Sequence, residues 1–445
     1  NRGERLGNNY PVYAPKKLVP RSNRPLCVVD RNIFYTFKSR TCKTFMSASN
    51  FAAVPLAPRD PILGLTEAFI ADERPDKVNL GVGVYYDDNG KVPVLAAVAE
   101  AERQRVASSP ARSYLPIEGF AQYNKAVQEL VFGADSPLLA ANRVATFECL
   151  GGTGALRVGA DFLRRLAGKR RALISDPSWE NHRAIFEAAG FEVATYPYYD
   201  PQTHGVRFDE MIAAIESASS DDVVVLHACC HNPTGVDLDA VQWARVVEAC
   251  GRSGAIAFLD MAYQGFGDGI EEDALAVRLF ADSGQNLLVA SSFSKNFSLY
   301  GERVGALSIV TADADETARV TSQVKRLIRS NYSNPPTHGA ALVATVLTTP
   351  ELRRKWESEL TGMRERIRAM RNGLVEGLAN KGVARDFSFV RRQRGMFSYS
   401  GLTREQVDRL RDEFGIYAVG SGRICLAALN SRNLQRVVDA IAAVA

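Results

Sequence analysis

The sequence predicts an α/β protein built on an open, mostly parallel sheet that helices cover on both faces. Between about residues 140 and 310, short aliphatic runs alternate with stretches of helical character. Each run leads into a turn or a helix start, which is typical of parallel strands joined by crossover helices. Ligands of such sheets bind at the carboxyl ends of the strands, so we expect functional residues there. The runs end near Leu150, Ile174, Val193, Leu226, Phe258, Ala290 and Val310.

The region before the sheet contains two predicted helices and one apolar run. The first helix is predicted to begin at Asp60-Pro61, and the second is expected from about Pro93 to Val106. Between them, residues 78–85 form an apolar run whose glycines allow another group to approach the backbone closely.

The region after about residue 350 has the pattern of an α+β segment. Apolar side chains recur at helical spacing from Met363 onward, and Gly382 is the expected C-cap. Thr403 and Gln406 form a capping box ahead of a further helix, which Gly415 is expected to stop.

These regions divide the chain into three parts. We expect a large domain at residues 93–359, a small domain assembled from 46–92 and 360–445, and a disordered basic extension at 1–45. The extension holds 10 Lys/Arg and 2 Asp/Glu, or +8, so the other 400 residues carry 4 − 8 = −4. It is translated upstream or added sequence, an organellar transit segment, or a tail with its own role. The acidic body argues against a nucleic-acid-binding protein.

The composition also bears on the compartment. No apolar run approaches the roughly 20 residues that a membrane helix requires. The seven cysteines form no C-x-x-C pair, which favours a reducing compartment over a disulfide framework. We therefore expect a cytoplasmic protein, or an organellar one if residues 1–45 are a transit segment.

Lys295 stands where an apolar run ends, within Ser-Ser-Phe-Ser-Lys-Asn-Phe. Desolvating an ammonium group is costly, so this lysine is either a surface residue or one whose pKa is lowered and whose amine binds an aldehyde covalently. Ser292, Ser294 and Arg303 could hold a phosphate beside it. An aldehyde-binding amine next to a phosphate site indicates pyridoxal 5'-phosphate (PLP) as the cofactor.

Two turn motifs offer contacts to a phosphate and to a ring substituent. G-G-T-G, which contains Gly152 and Thr153, opens a helix, and free N–H groups at a helix start bind phosphate. Such glycine-rich turns are also common without a ligand. H-N-P-T-G holds Asn232 extended before a proline, so its amide can point at a ring, although an ordinary turn is the alternative.

Asp260, Tyr263 and Trp179 are suited to bind an aromatic ring. Asp260 ends a buried run, where a carboxylate is costly unless it is paired, as with a protonated pyridine nitrogen; a helix N-cap is the alternative. Tyr263 could donate to a phenolate oxygen, and Trp179 could stack on the ring or belong to the core. His182 and His227 could support these groups or be core residues. The histidines lack the spacing of a metal site, so no metal is expected.

Two arginines are candidates for binding carboxylates. Arg423 starts an apolar strand, where an unpaired guanidinium is expensive, and bidentate binding of a carboxylate would justify its position. Arg329 precedes the motif Y-S-N-P-P and could hold a second carboxylate or be a surface residue.

Together these motifs resemble the class I (fold-type I) aminotransferases, specifically the aspartate and aromatic aminotransferase group. The likeness covers about residues 55–445 and rests on S-S-F-S-K-N-F, H-N-P-T-G, G-G-T-G-A-L, L-D-M-A-Y-Q-G-F, Y-S-N-P-P and S-G-R. The resemblance implies a PLP-dependent homodimer with shared active sites.

The resemblance also implies roles for individual residues. It implies that Lys295, Asp260 and Tyr263 are the catalytic residues. Lys295 would be the Schiff-base lysine and the proton shuttle. It implies cofactor contacts from Gly152, Thr153, Trp179, Asn232, Asp260, Tyr263, Ser292, Ser294, Lys295, Arg303 and Tyr114 of the partner subunit. It implies substrate contacts from Gly83, Trp179, Asn232, Phe397, Arg423 and Arg329 of the partner subunit.

The implied reaction moves an amino group from aspartate or an aromatic amino acid to 2-oxoglutarate by a ping-pong mechanism. The motifs L-P-I-E-G-F and R-G-M-F-S-Y look like those of bacterial aromatic aminotransferases, whereas Thr153 and Asn334 are typical of aspartate aminotransferases. A dual-substrate enzyme is therefore expected. The alternatives are a strict aspartate aminotransferase, another PLP reaction on the same fold, and a PLP-binding regulator without turnover.

Overall fold

The computed structural model of the chain contains a seven-stranded sheet. The structure describes residues 49–57 and 63–445. The predicted disordered extension at 1–45 and the helix start at Asp60-Pro61 lie outside these residues. Residues 49–57 contain a turn in which the N–H of Ala52 donates to the carbonyl of Ser49 (3.0 Å).

The strands follow one another along the chain with helices between most of them. They are β1 (Val78–Asn79), β2 (Val144–Leu150), β3 (Arg171–Asp176), β4 (Glu192–Pro197), β5 (Tyr199–Asp200), β6 (Gly205–Val206), β7 (Asp222–His227), β8 (Ile256–Met261), β9 (Leu287–Ser292), β10 (Val304–Val310), β11 (Phe397–Tyr399), β12 (Ile416–Tyr417) and β13 (Arg423–Cys425).

The helices flank the sheet and build both ends of the described chain. They are α1 (Leu63–Ala71), α2 (Ala96–Ser108), α3 (Ala121–Phe132), α4 (Pro137–Ala140), α5 (Gly151–Arg165), α6 (Glu180–Ala188), α7 (Phe208–Glu216), α8 (Ala240–Ser253), α9 (Leu275–Asp282), α10 (Ala314–Asn331), α11 (His338–Thr348), α12 (Pro350–Asn380), α13 (Arg404–Phe414) and α14 (Leu434–Val444). Within the described residues there are also short 3-10 turns at Glu272–Ala274, Tyr300–Glu302, Ser388–Arg392 and Leu426–Ala428.

The central sheet has the strand order β2-β10-β9-β8-β7-β3-β4. Strand β10 is antiparallel to both of its neighbours, and the remaining pairs are parallel. Six strands therefore end at one edge, while β10 begins there. The predicted mostly parallel α/β sheet is confirmed.

The sheet is buried on both faces, which explains the aliphatic runs in the sequence. Along β7, Val224 and Leu226 belong to one hydrophobic core and Val223 and Val225 to a second. Side chains alternate between the two faces of a strand, so neither face meets solvent there.

One predicted strand end is wrong. The run near Val193 does not end a strand but lies near the start of β4, which continues to Pro197. Pairing with β3 holds β4 along its length, from Arg171 opposite Glu192 to Asp176 opposite Pro197. The sequence pattern did not indicate the second part of β4, because A-T-Y-P is only partly aliphatic.

Two helices begin at positions that differ from the prediction. Helix α2 starts at Ala96, three residues after Pro93, where the Glu359 carboxylate accepts from the N–H groups of Ala96 (2.6 Å) and Ala97 (3.0 Å). Helix α12 starts at Pro350, well before Met363, and so forms one 31-residue helix.

The two predicted helix ends in the C-terminal region agree more closely with the structure. Lys381 caps α12, and Gly382 follows it in the left-handed region (φ +69°). The capping box of Thr403 and Gln406 and the left-handed C-cap Gly415 are both present in α13.

Two short strand pairs involve the C-terminal region of the chain. β1 pairs with β12 in parallel, and β11 pairs with β13 in antiparallel fashion. Of the predicted run at 78–85, only Val78–Asn79 is a regular strand. Within the described chain, no helix combines the length and apolarity needed to cross a membrane.

Candidate active site

A cavity of about 210 Å³ lies at the edge of the sheet where the parallel strands end. All of the predicted site residues except Tyr114 and Arg329 line it. These residues are Gly83, Gly152, Thr153, Trp179, Asn232, Asp260, Tyr263, Ser292, Ser294, Lys295, Arg303, Phe397 and Arg423.

Arg303 reaches this cavity by a route that the sequence pattern did not reveal. It does not follow a strand; it immediately precedes β10. Because β10 runs against its neighbours, its amino end lies at the edge where β2 and β9 end. The expectation that site residues follow strand ends is therefore wrong for Arg303.

One end of the cavity is built to hold an anion. The first turn of α5 contributes Gly152 and Thr153, and free N–H groups at a helix start attract negative charge. The Arg303 guanidinium donates to the Ser294 hydroxyl (3.4 Å), and the Ser292 hydroxyl accepts from the N–H of Ser294 (3.3 Å). No carboxylate of the described residues lies within 4.0 Å of Arg303.

A glycine makes room for that guanidinium. A Cβ at Gly151 would lie 2.4 Å from an Nη of Arg303, and the φ of Gly151 is +69°. Arg303 itself adopts a left-handed backbone conformation (φ +54°), which is uncommon for a residue with a side chain. The local fold thus places an unpaired cation over the start of α5.

Lys295 and Asp260 bring opposite charges into the same cavity. Burial is the main cause of the lowered pKa of Lys295, and the positive charge of Arg303 acts in the same direction while Asp260 opposes it. The Lys295 ammonium nitrogen lies 4.9 Å from the ring centre of Tyr263. A lowered pKa means that this amine loses its proton more readily than an ordinary lysine.

Asp260 is held in its charged form by a histidine. Burial alone would raise the pKa of Asp260, but the hydrogen bond from His182 and the nearby positive charge of Lys295 outweigh it, so this pKa is lowered overall. His182 Nε2 lies 2.9 Å from Asp260 Oδ2, and His182 Nδ1 lies 2.9 Å from the Ser178 hydroxyl. Asp260 is thus a buried carboxylate at the floor of the cavity.

The folded chain also groups histidines that are far apart in sequence. His182, His227 and Asp260 offer ligand atoms within 4.8 Å of one another. The sequence spacing gave no indication of this cluster, because three separate elements contribute to it. Within it, His182 and Asp260 form a hydrogen bond with each other, so the pair is already satisfied.

Arg423 is the most deeply buried cation of the site. The residue is 1% exposed, and its guanidinium donates to Asn232 Oδ1 (3.1 Å) and to the carbonyl of Gly81 (2.7 Å). Its Nε is buried without a hydrogen-bond partner, and no carboxylate of the described chain lies within 4.0 Å. Burying a guanidinium without a counter-ion is expensive, so this geometry favours a ligand that carries a carboxylate.

Phe397 closes the cavity between Arg423 and Tyr263. The Arg423 guanidinium carbon lies 4.5 Å from the centre of the Phe397 ring, and the rings of Phe397 and Tyr263 meet edge to face at 6.0 Å. A Cβ at Gly83 would lie 2.7 Å from Phe397, so the glycine is needed for this packing.

Tyr114 and Arg329 do not line the cavity. Tyr114 is 92% exposed, and Arg329 is an exposed residue in the last turn of α10 whose guanidinium donates to the Ser333 hydroxyl. Contacts of these two residues with a partner subunit stay a prediction.

His227 lines the cavity, although the sequence indicated it only as a supporting or core residue. It ends β7 opposite Asp260 of β8, and its Nε2 is buried without a hydrogen-bond partner. Burial and the neighbouring histidines lower its pKa well below the ordinary value, so it is neutral. The sequence signal that points to His227 is a polar residue at the end of a buried strand.

The described chain matches known proteins over most of its length. The family described as "Aminotransferase class I and II" matches residues 75–441. Aspartate aminotransferase of Pseudomonas aeruginosa is 62% identical over 393 residues, which cover 88% of this chain and 99% of the relative. Aromatic-amino-acid aminotransferase of Escherichia coli is 52% identical over 395 residues, covering 88% and 100%.

A similar solved structure shows the same architecture. The aromatic-amino-acid aminotransferase from Burkholderia pseudomallei, crystallised with pyridoxal phosphate covalently bound, superimposes with a TM-score of 0.88. It is 65% identical in sequence, and the match covers 89% of this chain and 100% of that one.

Proposed function

The chain belongs to the class I and II aminotransferases, which use PLP, and we propose that it moves the amino group of aspartate and of aromatic amino acids to 2-oxoglutarate. Two specificities are proposed together because similar relatives carry both names. An aspartate aminotransferase is 62% identical to this chain, and the aromatic enzyme of known structure is 65% identical.

The residues of the cavity fit PLP. Arg303 lies unpaired beside the start of α5 and two serine hydroxyls, which is a suitable environment for the phosphate. The ionised Asp260 would pair with the protonated ring nitrogen, while Tyr263 and Asn232 would contact the ring oxygen and Trp179 would stack on the ring. Lys295 is the residue that we propose to bind the cofactor covalently.

The chain supplies proton transfer at the substrate Cα. When bound, PLP acts as an electron sink that favours removal of the Cα proton. Lys295 has a lowered pKa, so its amine loses its own proton more readily than an ordinary lysine and would then accept the Cα proton and later return it. His182 keeps Asp260 ionised through the 2.9 Å hydrogen bond, which maintains the negative charge that the ring nitrogen needs.

The observation that carries the proposal is the buried, uncompensated Arg423. Every amino acid and every 2-oxo acid presents an α-carboxylate, which is the counter-ion that Arg423 lacks. Its position beside Asn232 and Phe397 places that carboxylate in the cavity that also holds Lys295. We propose that a carboxylate bound there would hold the Cα proton near the lysine.

A homodimer would complete the site. Arg329 and Tyr114 lie outside the cavity of their own chain, so we propose that Tyr114 of the partner subunit contacts the phosphate. Arg329 of the partner subunit would bind the distal carboxylate of aspartate, glutamate and their oxo acids. Aromatic substrates lack that carboxylate, and they would require the arginine to move aside.

We also propose the domain layout and the location suggested by the sequence. The pairing of β1 with β12 joins residues 78–79 to 416–417, which supports a small domain that combines the region before residue 93 with residues 360–445, beside a large domain at 93–359. The cysteines of the described chain are free and buried, which supports a reducing compartment such as the cytoplasm.

Single-turnover reactions of the PLP-loaded enzyme test the proposed substrates. Aspartate, phenylalanine, tyrosine and tryptophan are each mixed with enzyme in the absence of 2-oxoglutarate. The expected result is stoichiometric 2-oxo acid from aspartate and from the aromatic amino acids. Turnover of aspartate alone would support the strict aspartate aminotransferase instead.

A further inference from the structure

A second cavity, of about 440 Å³, is lined by arginines and is separate from the active site. Gln393 and Gly395 line this cavity, whereas Phe397, two residues further along, lines the active one. Six arginines contribute to its walls: Arg364, Arg368, Arg371, Arg391, Arg392 and Arg394. We call these residues and this space the arginine cavity.

The arginine cavity has an excess of positive charge. Only three carboxylates of the described chain lie within 4.0 Å of its arginines. Asp268 pairs with Arg368 (2.9 Å) and Arg394 (3.0 Å). The other two are Glu365, which pairs with Arg368 (3.0 Å) and Arg364 (3.7 Å), and Glu376, which pairs with Arg391 (3.2 Å). Asp237 lies further away, but its charge also acts on Arg371. Six guanidinium groups against these four carboxylates leave a charge of 6 − 4 = +2.

Arg371 is the centre of this arrangement. The residue is 3% exposed and donates only to main-chain carbonyls: those of Val390 (3.1 Å), Gly395 (2.7 Å) and Phe397 (3.2 Å). No carboxylate of the described residues lies within 4.0 Å of it. Burial lowers the pKa of Arg371 to about 10, so the guanidinium is still charged at neutral pH.

Arg364 adds an unused donor to the same wall. Its side chain is 11% exposed, and its Nε is buried without a hydrogen-bond partner. The other nitrogens donate to the carbonyl of Gly265 (2.9 Å) and the hydroxyl of Thr361 (3.3 Å). Arg364, Arg368 and Arg371 are spaced four and three residues apart, so α12 presents them on one face.

We propose that the arginine cavity binds a small anion with two or more negative charges, such as a phosphorylated metabolite. Guanidinium groups suit phosphate oxygens because they donate in a planar fork. Arg391, Arg392 and Arg394 are exposed at the rim, so an anion can enter from solvent and approach the buried charge of Arg371.

Pyrophosphate is the probe, because it is a compact polyanion and lacks the carboxylates that would bind at Arg423. Isothermal titration calorimetry of the PLP-loaded enzyme should show saturable binding of one pyrophosphate per chain. The double variant Arg391→Gln/Arg392→Gln should bind it about tenfold more weakly or worse, because charge-assisted contacts are lost.

A matched double variant controls for the loss of charge. Arg252→Gln/Arg409→Gln also removes two exposed arginines, each paired with a glutamate, and neither lines the arginine cavity. It should bind pyrophosphate like the wild type. Arg392→Glu, at an exposed residue without an ion pair among the described carboxylates, should weaken binding if the double variant proves unstable.

Three results would overturn the inference. One is the absence of saturable binding, and another is equal weakening in the cavity variants and the matched control. The third is a loss of the cofactor's visible absorbance on addition of pyrophosphate, since this would place the anion in the phosphate site beside Arg303.

Discussion

Replacing Arg423 with leucine should weaken the reaction of every amino acid by the same factor. The wild-type guanidinium uses two of its five N–H donors, on Asn232 and the Gly81 carbonyl, and so has three for a carboxylate. Two charge-assisted hydrogen bonds contribute about 3–5 kcal/mol to binding. Since each 1.36 kcal/mol is tenfold in rate, kcat/KM should fall by roughly 100- to 5,000-fold.

The assay is the single-turnover half-reaction with aspartate and with phenylalanine. Both substrates present an α-carboxylate, so both should lose kcat/KM equally. Arg423→Lys is the matched variant: it keeps the charge but not the planar fork, and the loss should be intermediate. PLP content should stay at the wild-type level, because Arg303 and α5 hold the phosphate elsewhere in the cavity.

Two outcomes would refute this account of Arg423. A loss below tenfold in a folded, PLP-loaded Arg423→Leu protein would mean that the α-carboxylate binds elsewhere. A loss confined to aspartate would assign Arg423 to the distal carboxylate instead.

Three further predictions address the dimer, the lysine and a buried carboxyl. Arg329→Leu should lower the aspartate half-reaction by about 30-fold or more and affect phenylalanine far less; equal losses would make Arg329 structural. Borohydride should fix PLP to a peptide containing Lys295, and label on another lysine would contradict the assignment. Burial raises the pKa of Glu148 to about 7 from its ordinary 4.5, so its stabilising contribution is full below about pH 4.5 and is lost as pH rises through 7. Relative to wild type, the Glu148→Gln variant should therefore become more stable as the pH rises from 5 to 8, by up to about 3 kcal/mol, which is followed by Tm. A stability difference between the two proteins that does not change with pH would contradict this prediction.

Local sequence signals predicted those parts of the fold that local chemistry determines. The capping box at Thr403 and Gln406 needs only residues three apart, and the left-handed Gly415 needs only its own backbone freedom. The central strands were visible because burial on both faces demands continuous aliphatic runs.

Features that depend on distant residues were not visible. The start of α2 depends on Glu359, which is more than 250 residues away in the chain. The position of Arg303 depends on the reversed direction of β10, and no local pattern records strand direction. The sequence left His227 as either a supporting or a core residue, because its contact with the site depends on pairing between β7 and β8.

The resemblance to a family predicted the site more completely than the residues did individually. Asn232 by itself is an ordinary turn residue, yet it lies 3.1 Å from Arg423, 191 positions later in the chain. The resemblance to the family gave no indication of the arginine cavity. Its six arginines are spread over 31 positions of a charged region, and only the fold shows that they face one space.

The central claim is that this cavity carries out transamination and not another PLP reaction. The direct measurement is a single turnover of PLP-loaded enzyme with L-aspartate, with products identified by mass spectrometry and the cofactor followed by absorbance. We expect one oxaloacetate per active site, pyridoxamine phosphate in equal amount, and neither product from Lys295→Ala. Alanine plus carbon dioxide, or fumarate plus ammonia, with the cofactor unchanged, would contradict it.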